Sequence, residues 1–126
     1  FKGILNNSLL TDNEKKYFIR LRELLKDTEY IIFSKVRMAD IIKTYTYADF
    51  NKIRGKHIDF IICDKETKPL LFIELDDKSH NRKNNKNNDI KKDYILNKVG
   101  VNIIRTTIYD LENNISFIKE KLNLGN

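Results

Sequence analysis

The spacing of apolar positions along the chain predicts seven elements in the order α-β-β-β-α-β-α. Thr11 and Glu14 have the spacing of a capping box, so we expect the first helix to begin there. Phe18, Leu21 and Leu25 continue it as an apolar stripe at helical spacing. Three apolar runs that follow are typical of strands, and they lie at residues 29–37, 56–63 and 70–76.

The second and third runs are almost continuously apolar, which predicts a sheet that is covered on both faces. Residues 64–69 between them contain the only proline of the chain and are short enough for the turn of an antiparallel hairpin. Residues 38–54 are ambiguous, and we interpret them as a short helix at 38–43 followed by a loop.

The second half of the chain predicts a helix, a strand and a closing helix. Apolar positions recur at helical spacing over residues 88–99, and Gly100 stands where a helix C-cap belongs. A strand is expected at 101–106 and an amphipathic helix at 110–124. We therefore expect an α/β fold, a mixed four-stranded sheet flanked by helices, in one domain over residues 1–126.

Acidic residues at the end of the third strand are unusual for a buried element. Glu74 and Asp76 fall on the same face by alternation, and Asp77 follows directly. If the two middle strands pair with Cys63 opposite Leu70, Asp59 becomes a cross-strand neighbour of Glu74. Carboxylates this close repel one another unless a cation lies between them, and carboxylate oxygens suit Mg²⁺ or Mn²⁺. The alternative is that each acid is hydrated at a strand edge.

The positive charge of the chain is concentrated directly after these acids. The whole chain of 126 residues has a formal net charge of +6, and residues 78–92 carry +5 of it. With almost no apolar residue near its start, this stretch reads as an exposed basic loop that runs into a helix. Such a stretch is either a solvated surface or a contact for a polyanion.

Composition excludes several classes of protein. A hydrophobic content of 40% is too high for a disordered chain. The single cysteine, Cys63, excludes an intrachain disulfide framework and a zinc site made of several thiolates. No apolar run approaches a membrane span, so we expect no membrane contact from this segment and a cytoplasmic location. Because the sequence begins at Phe1, we also expect that it was taken from a longer protein.

These features together resemble the PD-(D/E)XK, or restriction-endonuclease-like, nuclease superfamily. An Asp, a hydrophobic hairpin and then Glu-x-Asp follow one another in an α-β-β-β-α-β order. The resemblance is nearest to a bacterial uncharacterised-domain family close to the very-short-patch-repair endonucleases. It covers nearly the whole chain, through LLTDNEKKYF (9–18), KHIDFIICD (56–64), IELDDKSHN (73–81), the D-x-x-K pattern at 89–92, Gly100 and NIIRT (102–106).

The resemblance implies a metal-dependent DNA nuclease and assigns roles to single residues. Asp59 and Glu74 correspond to the two metal-binding acids, and the backbone carbonyl of Leu75 to a further ligand of Mg²⁺, for which Mn²⁺ can substitute. Glu14 corresponds to an acid that positions a second metal or water. Asp76 stands where the common motif has its catalytic lysine, which is a departure from the pattern.

Three residues are candidates to replace that lysine as the general base. They are Lys78, His80 and Lys92, and we favour His80, which lies beside the acidic cluster in sequence and whose imidazole could shuttle a proton. Six basic residues are expected to bind DNA phosphates, with RNA as an alternative substrate and a fused domain or a homodimer as further partners. This set consists of Lys78, Arg82, Lys83, Lys86, Lys92 and Arg105.

Two other interpretations remain beside the nuclease. The missing motif lysine favours a nucleic-acid-binding module that has a nuclease-like fold and no turnover. Alternatively, the acids form a structural salt-bridge network with Lys78 and Arg105, which would have no metal affinity.

Overall fold

The structure is a computed structural model that describes residues 1–76 and 82–124, with the side chains of residues 82–90 left aside. A short 3-10 turn at Ile108–Asp110 precedes the last helix. The helices are α1 (Asp12–Leu25), α2 (Met38–Ile41), α3 (Tyr47–Ile53), α4 (Arg82–Val99) and α5 (Leu111–Lys121), and the strands are β1 (Ile31–Arg37), β2 (His57–Cys63), β3 (Pro69–Leu75) and β4 (Asn102–Thr106).

The four strands form one mixed sheet in the order β1-β2-β3-β4. β1, β2 and β3 are antiparallel neighbours, whereas β4 lies parallel to β3. The parallel connection runs through α4, as a crossover between parallel strands requires. The predicted class, an α/β protein with a mixed four-stranded sheet flanked by helices, is confirmed. In residues 1–76 and 82–124, no helix has the length and apolar character needed to cross a lipid bilayer.

Each face of the sheet buries its own apolar core. On one face, Tyr17 of α1 stacks on Phe60 of β2 with ring centroids 5.6 Å apart, and Ile118 of α5 completes the cluster. On the other face, Met38 of α2 and Leu96 of α4 pack against the sheet. The predicted covering of both faces is therefore correct, and it explains why the middle strands are apolar at successive positions.

The hairpin register differs from the expected one beside the turn. Phe60 pairs with Ile73, which is the predicted alignment, but Cys63 pairs with Pro69 instead of Leu70. A β-bulge between Ile62 and Cys63 absorbs the extra residue of β3. The proline stands at the first position of its strand, where its missing N–H is tolerated.

Two helices differ from the expected pattern. α4 begins at Arg82, so residues 82–87 are helical where an exposed loop was predicted. The four Asn residues between 84 and 88 are weak helix formers, yet neither Gly nor Pro interrupts the helix. α3 was missed entirely; the Thr46 hydroxyl caps it by accepting from the Asp49 N–H at 3.1 Å, a signal that the sequence contains.

In β1 and β2, the regular alternation of side chains between the two faces of the sheet breaks at paired positions. Ile32 packs into the α1 core and Val36 into the α2 core, although regular alternation would place both on one face. Lys35 between them adopts a left-handed backbone with φ of 53°. That conformation costs a non-glycine residue about 1 kcal/mol. The register on either side puts Lys35 opposite Asp59, so the break in alternation lies beside the candidate acids.

Candidate functional site

The two acids singled out from the sequence meet across the β2–β3 hairpin. Asp59 lies one residue before the Phe60–Ile73 pair, which places it opposite Glu74, and its negative charge acts on the Glu74 carboxyl. Its Oδ2 atom also accepts a hydrogen bond from the Leu75 backbone N–H at 2.8 Å. The convergence predicted from the register therefore holds in the structure, and the backbone fixes the orientation of Asp59.

Glu74 is buried and forms an ion pair with a lysine from a distant part of the chain. Only 6% of Glu74 is exposed, and its Oε1 lies 3.3 Å from the Nζ of Lys92 on α4. The same ammonium donates to the His57 carbonyl oxygen at 2.7 Å, at the start of β2. Lys92, which was expected to contact a phosphate or to serve as the base, is thus held beside the acid pair.

Burial governs the protonation of the acid pair. Loss of water and, after it, the negative charge of Asp59 together raise the pKa of Glu74 to about 7, although Lys92 opposes both effects. Burial also raises the pKa of Asp59, against the opposing hydrogen bond from the Leu75 N–H. The pair is therefore ready to hold a proton near neutral pH, or to exchange it for another cation.

Glu14 serves two purposes at the start of α1. It completes the predicted capping box, because its Oε1 accepts from the Thr11 N–H at 2.8 Å and the Thr11 hydroxyl accepts from the Glu14 N–H. The same Oε1 lies 3.6 Å from the Nζ of Lys35. The negative charge of Glu14 also contributes to the raised pKa of Asp59, so Glu14 acts electrostatically on the acid pair.

Arg105 and Asp76 lie at the same edge of the sheet. Arg105, an expected phosphate contact, binds Asp93 of α4 with Nη2 at 2.8 Å and Nε at 3.1 Å from Oδ1. Asp76 is exposed one residue beyond β3, and its backbone N–H donates to the Thr106 carbonyl oxygen at 2.7 Å. The side chain of Arg105 is therefore engaged in an ion pair that the sequence did not predict.

Among the other residues expected at the site, Lys78 and His80 lie outside the described residues. The backbones of Arg82, Lys83 and Lys86 belong to the first half of α4, which places these positions on the helix that also carries Lys92. Sequence reasoning missed Asp93 and Lys35. Asp93 follows the D-x-x-K pattern directly, whereas nothing in the sequence marks Lys35.

The donor set fits a hard divalent cation better than any soft metal. Carboxylate oxygens of Asp59 and Glu74 are typical ligands of Mg²⁺ and Mn²⁺. Over residues 1–76 and 82–124, no three His, Cys, Asp or Glu side chains are grouped so that they could hold a metal ion. Two carboxylates would therefore need help from a backbone carbonyl such as that of Leu75, from water or from substrate oxygens, which is how Mg²⁺ is commonly bound.

The fold and this site define an α/β protein in which a buried glutamate and a half-buried aspartate, on the two central strands of a mixed sheet, meet a lysine from α4. Residues 6–122 match the family described as Protein of unknown function (DUF2726), and the chain belongs to this family. An uncharacterised protein of Haemophilus influenzae is 28% identical over 96 residues, covering 75% of this chain and 50% of that protein. The chain thus spans about half the length of this curated relative. No solved structure matches the chain.

Proposed function

We propose that this domain is a metal-dependent nuclease that hydrolyses phosphodiester bonds of DNA in the cytoplasm, with a fold of the restriction-endonuclease-like type. The observation that carries the proposal is the pair of buried Glu74 and half-buried Asp59, with Lys92 Nζ 3.3 Å from Glu74. Bringing two carboxylates together away from water costs free energy unless a cation compensates their charge, and such clusters are typical of functional sites.

Asp59 and Glu74 would hold the cation, with the Leu75 carbonyl as a further ligand. When bound, Mg²⁺ lowers the pKa of water and neutralises charge on the phosphodiester in the transition state. The Leu75 N–H keeps the carboxylate of Asp59 in place. Glu14, whose negative charge acts on Asp59, would orient the attacking water or a second cation.

Lys92 is our preferred replacement for the motif lysine that Asp76 lacks. Its ammonium reaches Glu74 from α4 and is anchored by the His57 carbonyl oxygen at 2.7 Å. A fixed cation at this place stabilises negative charge that develops on the water or the phosphate. This assignment replaces our first choice from the sequence, His80, for which contacts are outside the description.

The basic residues of α4 and the segment before it would hold the flanking phosphates. Such contacts are independent of sequence and weaken as salt is added. Arg105 is a weaker candidate for this role than the sequence suggests, because Asp93 already binds it with two nitrogen atoms.

A second candidate function is a nucleic-acid-binding module without turnover. Asp76 at the position of the motif lysine favours it. The absence of a three-residue metal group in the part of the chain that the structure describes points the same way.

The experiment is a cleavage assay on plasmid and single-stranded DNA with Mg²⁺, Mn²⁺ or EDTA. The variants are Asp59→Asn and Glu74→Gln, which keep the shapes of the side chains. The control is Asp64→Asn, in the turn at the other end of β2. We expect metal-dependent cutting that both site variants lose and the control retains. DNA binding without cutting would contradict the nuclease, and cutting that survives in both site variants would contradict the assigned site.

The choice between Lys92 and His80 as the replacement for the motif lysine is tested in the same assay with His80→Ala. If Lys92 has this role, the His80 variant should keep most of the cutting rate. A variant that binds DNA normally and cuts far more slowly would return the role to His80.

A further inference from the structure

We propose that α3 and the segment before it form a stacking surface for single-stranded DNA next to the candidate active site. This inference rests on the proposed function and narrows its substrate to DNA with unpaired bases. We define the surface by Tyr45, Tyr47 and Phe50 together with the cations Lys43, Arg54 and Lys56.

The aromatic side chains of this surface face solvent instead of the core. Tyr45 is 85% exposed, Tyr47 72% and Phe50 38%. The burial that attaches this region to the sheet comes from other residues, Met38 of α2 and Ile53 of α3. The exposed rings are therefore available as flat apolar platforms, and exposed apolar groups that cluster in this way commonly mark binding surfaces.

The geometry of α3 lines up two of these rings with a cation. Tyr47, Phe50 and Arg54 follow one another at positions i, i+3 and i+7, which share one side of a helix. Arg54 keeps helical dihedral angles as the C-cap residue, so the row continues to the end of the helix. Tyr45 lies two residues before the helix, at its N-terminal end.

The charges around the rings match the phosphates of a nucleic acid strand. The Nζ of Lys43 lies 5.4 Å from the centre of the Tyr45 ring. By contrast with Lys52, which binds Asp49, neither Lys43, Arg54 nor Lys56 forms an ion pair with a carboxylate of residues 1–76 or 91–124. Rings alternating with uncompensated cations are the arrangement that binds single strands.

The surface connects directly with the acid pair. Lys56 is tied to α2 by a hydrogen bond from the Met38 N–H to its carbonyl oxygen at 2.9 Å. The carbonyl oxygen of the next residue, His57, accepts a hydrogen bond from the Lys92 ammonium, which also contacts Glu74. Asp59 follows Arg54 by five positions, which limits the distance between their backbones to about 17 Å. A strand bound beside Arg54 therefore lies within reach of the site.

Unpaired bases are favoured over a duplex for a physical reason. The flat side of an aromatic ring binds the flat side of a base, and in a duplex those sides are already covered by neighbouring base pairs. A duplex would be held by the cations alone, so removal of the rings should affect it little.

The test is a binding titration in EDTA, where no cutting interferes, with a fluorescent oligonucleotide of about 20 nucleotides as single strand or duplex. We expect the double variant Tyr45→Ala/Tyr47→Ala to bind the single strand about 10- to 100-fold more weakly and the duplex nearly as before. The double variant Tyr45→Phe/Tyr47→Phe, which keeps both rings, should bind both as the natural protein does.

A matched control is Phe117→Ala on α5. Phe117 is 37% exposed and also has a lysine above its ring, Lys121, but it belongs to the helix that covers the opposite face of the sheet. It should leave binding unchanged. Unchanged single-strand binding in the alanine variant, or an equal loss for duplex and single strand, would overturn the stacking surface. Failure of the nuclease proposal is separate, because it would appear as absent cutting while single-strand binding persists.

Discussion

Two groups of acids lie at opposite ends of β2, and they differ in burial and in the contacts that they make. At one end, buried Glu74 and half-buried Asp59 lie side by side, and the negative charge of Asp59 acts on Glu74. At the other end, Glu29, Asp64 and Glu66 line an open cavity of about 410 Å³ together with Tyr30 and Lys65.

The acids of the open cavity have simple structural duties. Asp64 accepts hydrogen bonds from the Glu66 and Lys68 backbone N–H groups, both at 2.9 Å, and so builds the turn. Glu29 is 3.9 Å from the ammonium of Lys65, and both side chains are mostly exposed. An ion pair of this kind contributes little to stability because water screens it.

The two groups of acids are distinguished by their burial more than by the number of their carboxylates. The side chain of Lys92 is 15% exposed beside Glu74, whereas that of Lys65 is 65% exposed beside Glu29. A partly buried cation fixed beside an acid pair provides a preorganised electrostatic environment, which is what catalysis of phosphate chemistry requires.

The largest expected effect comes from exchanging the two lysines for methionine. Lys92→Met should lower the cutting rate at least about 100-fold, because the fixed positive charge beside Glu74 is lost. Lys65→Met should stay close to the natural rate. Both variants should be checked for folding by circular dichroism before the rates are measured. A Lys92→Met protein that folds and cuts at half the natural rate would reduce Lys92 to a structural partner.

The second prediction concerns the stability of the metal-free protein as pH changes. The pKa of Glu74 is about 7 in the folded protein and near 4.5 in the unfolded chain, so folding favours the protonated form. Its contribution is full below the unfolded pKa and is lost as pH rises through the folded pKa. We expect about 2 to 3 kcal/mol of stability to be lost across this range.

The measurement is chemical denaturation in EDTA, with Glu74→Gln as the comparison. The glutamine cannot ionise, so the variant should lose most of the pH dependence in that range. Asp64→Asn should retain it. If natural protein and Glu74→Gln show the same pH profile, burial does not control Glu74 in the way described.

The third prediction is stabilisation by a divalent cation. Saturating Mg²⁺ should raise the stability by about 2 kcal/mol, or roughly 6 °C in melting temperature, because it binds only the folded protein. Asp59→Asn should lose this shift and Asp64→Asn should keep it. A shift that depends on Asp64 instead of Asp59 would place the cation at the wrong end of β2.

The smallest effect is expected for the turn. Asp64→Ala removes two hydrogen bonds to the backbone and should cost about 1 kcal/mol of stability. The cutting rate and the response to Mg²⁺ should remain as in the natural protein. Urea denaturation measures the first quantity, and a marked loss of cutting would show that the two ends of β2 are coupled.

Much of the candidate site could be predicted because charged residues stand out within apolar strands. Glu74 ends an apolar strand and Asp59 interrupts another, and a simple hairpin register brings them together. The capping box of α1 was equally visible, since Thr11 and Glu14 have a fixed spacing. Features of this kind depend on residues that lie close in sequence or on one pairing of strands.

The parts that could not be predicted depend on tertiary contacts. The ion pair of Arg105 with Asp93 forms only after β4 has aligned beside β3 and α4 has packed on them. Whether Lys92 faces phosphate or Glu74 depends on the same packing. The early start of α4 was hidden because its asparagines have weak helix propensity. Lys35 gave no signal, since only the folded strands show that the alternation changes face there.

The left-handed backbone of Lys35 also affects how molecules meet one another. β1 is an edge strand, and an edge with free N–H and C=O groups can recruit the edge of a second molecule. A flat strand of mostly apolar residues such as Ile31 and Phe33 would invite such association. At Lys35 the alternation of side chains between the two faces changes and the strand carries a charge. Both features interrupt the apolar edge that a second molecule could pair with. The same residue that lies opposite Asp59 thereby protects the sheet against aggregation through its open edge.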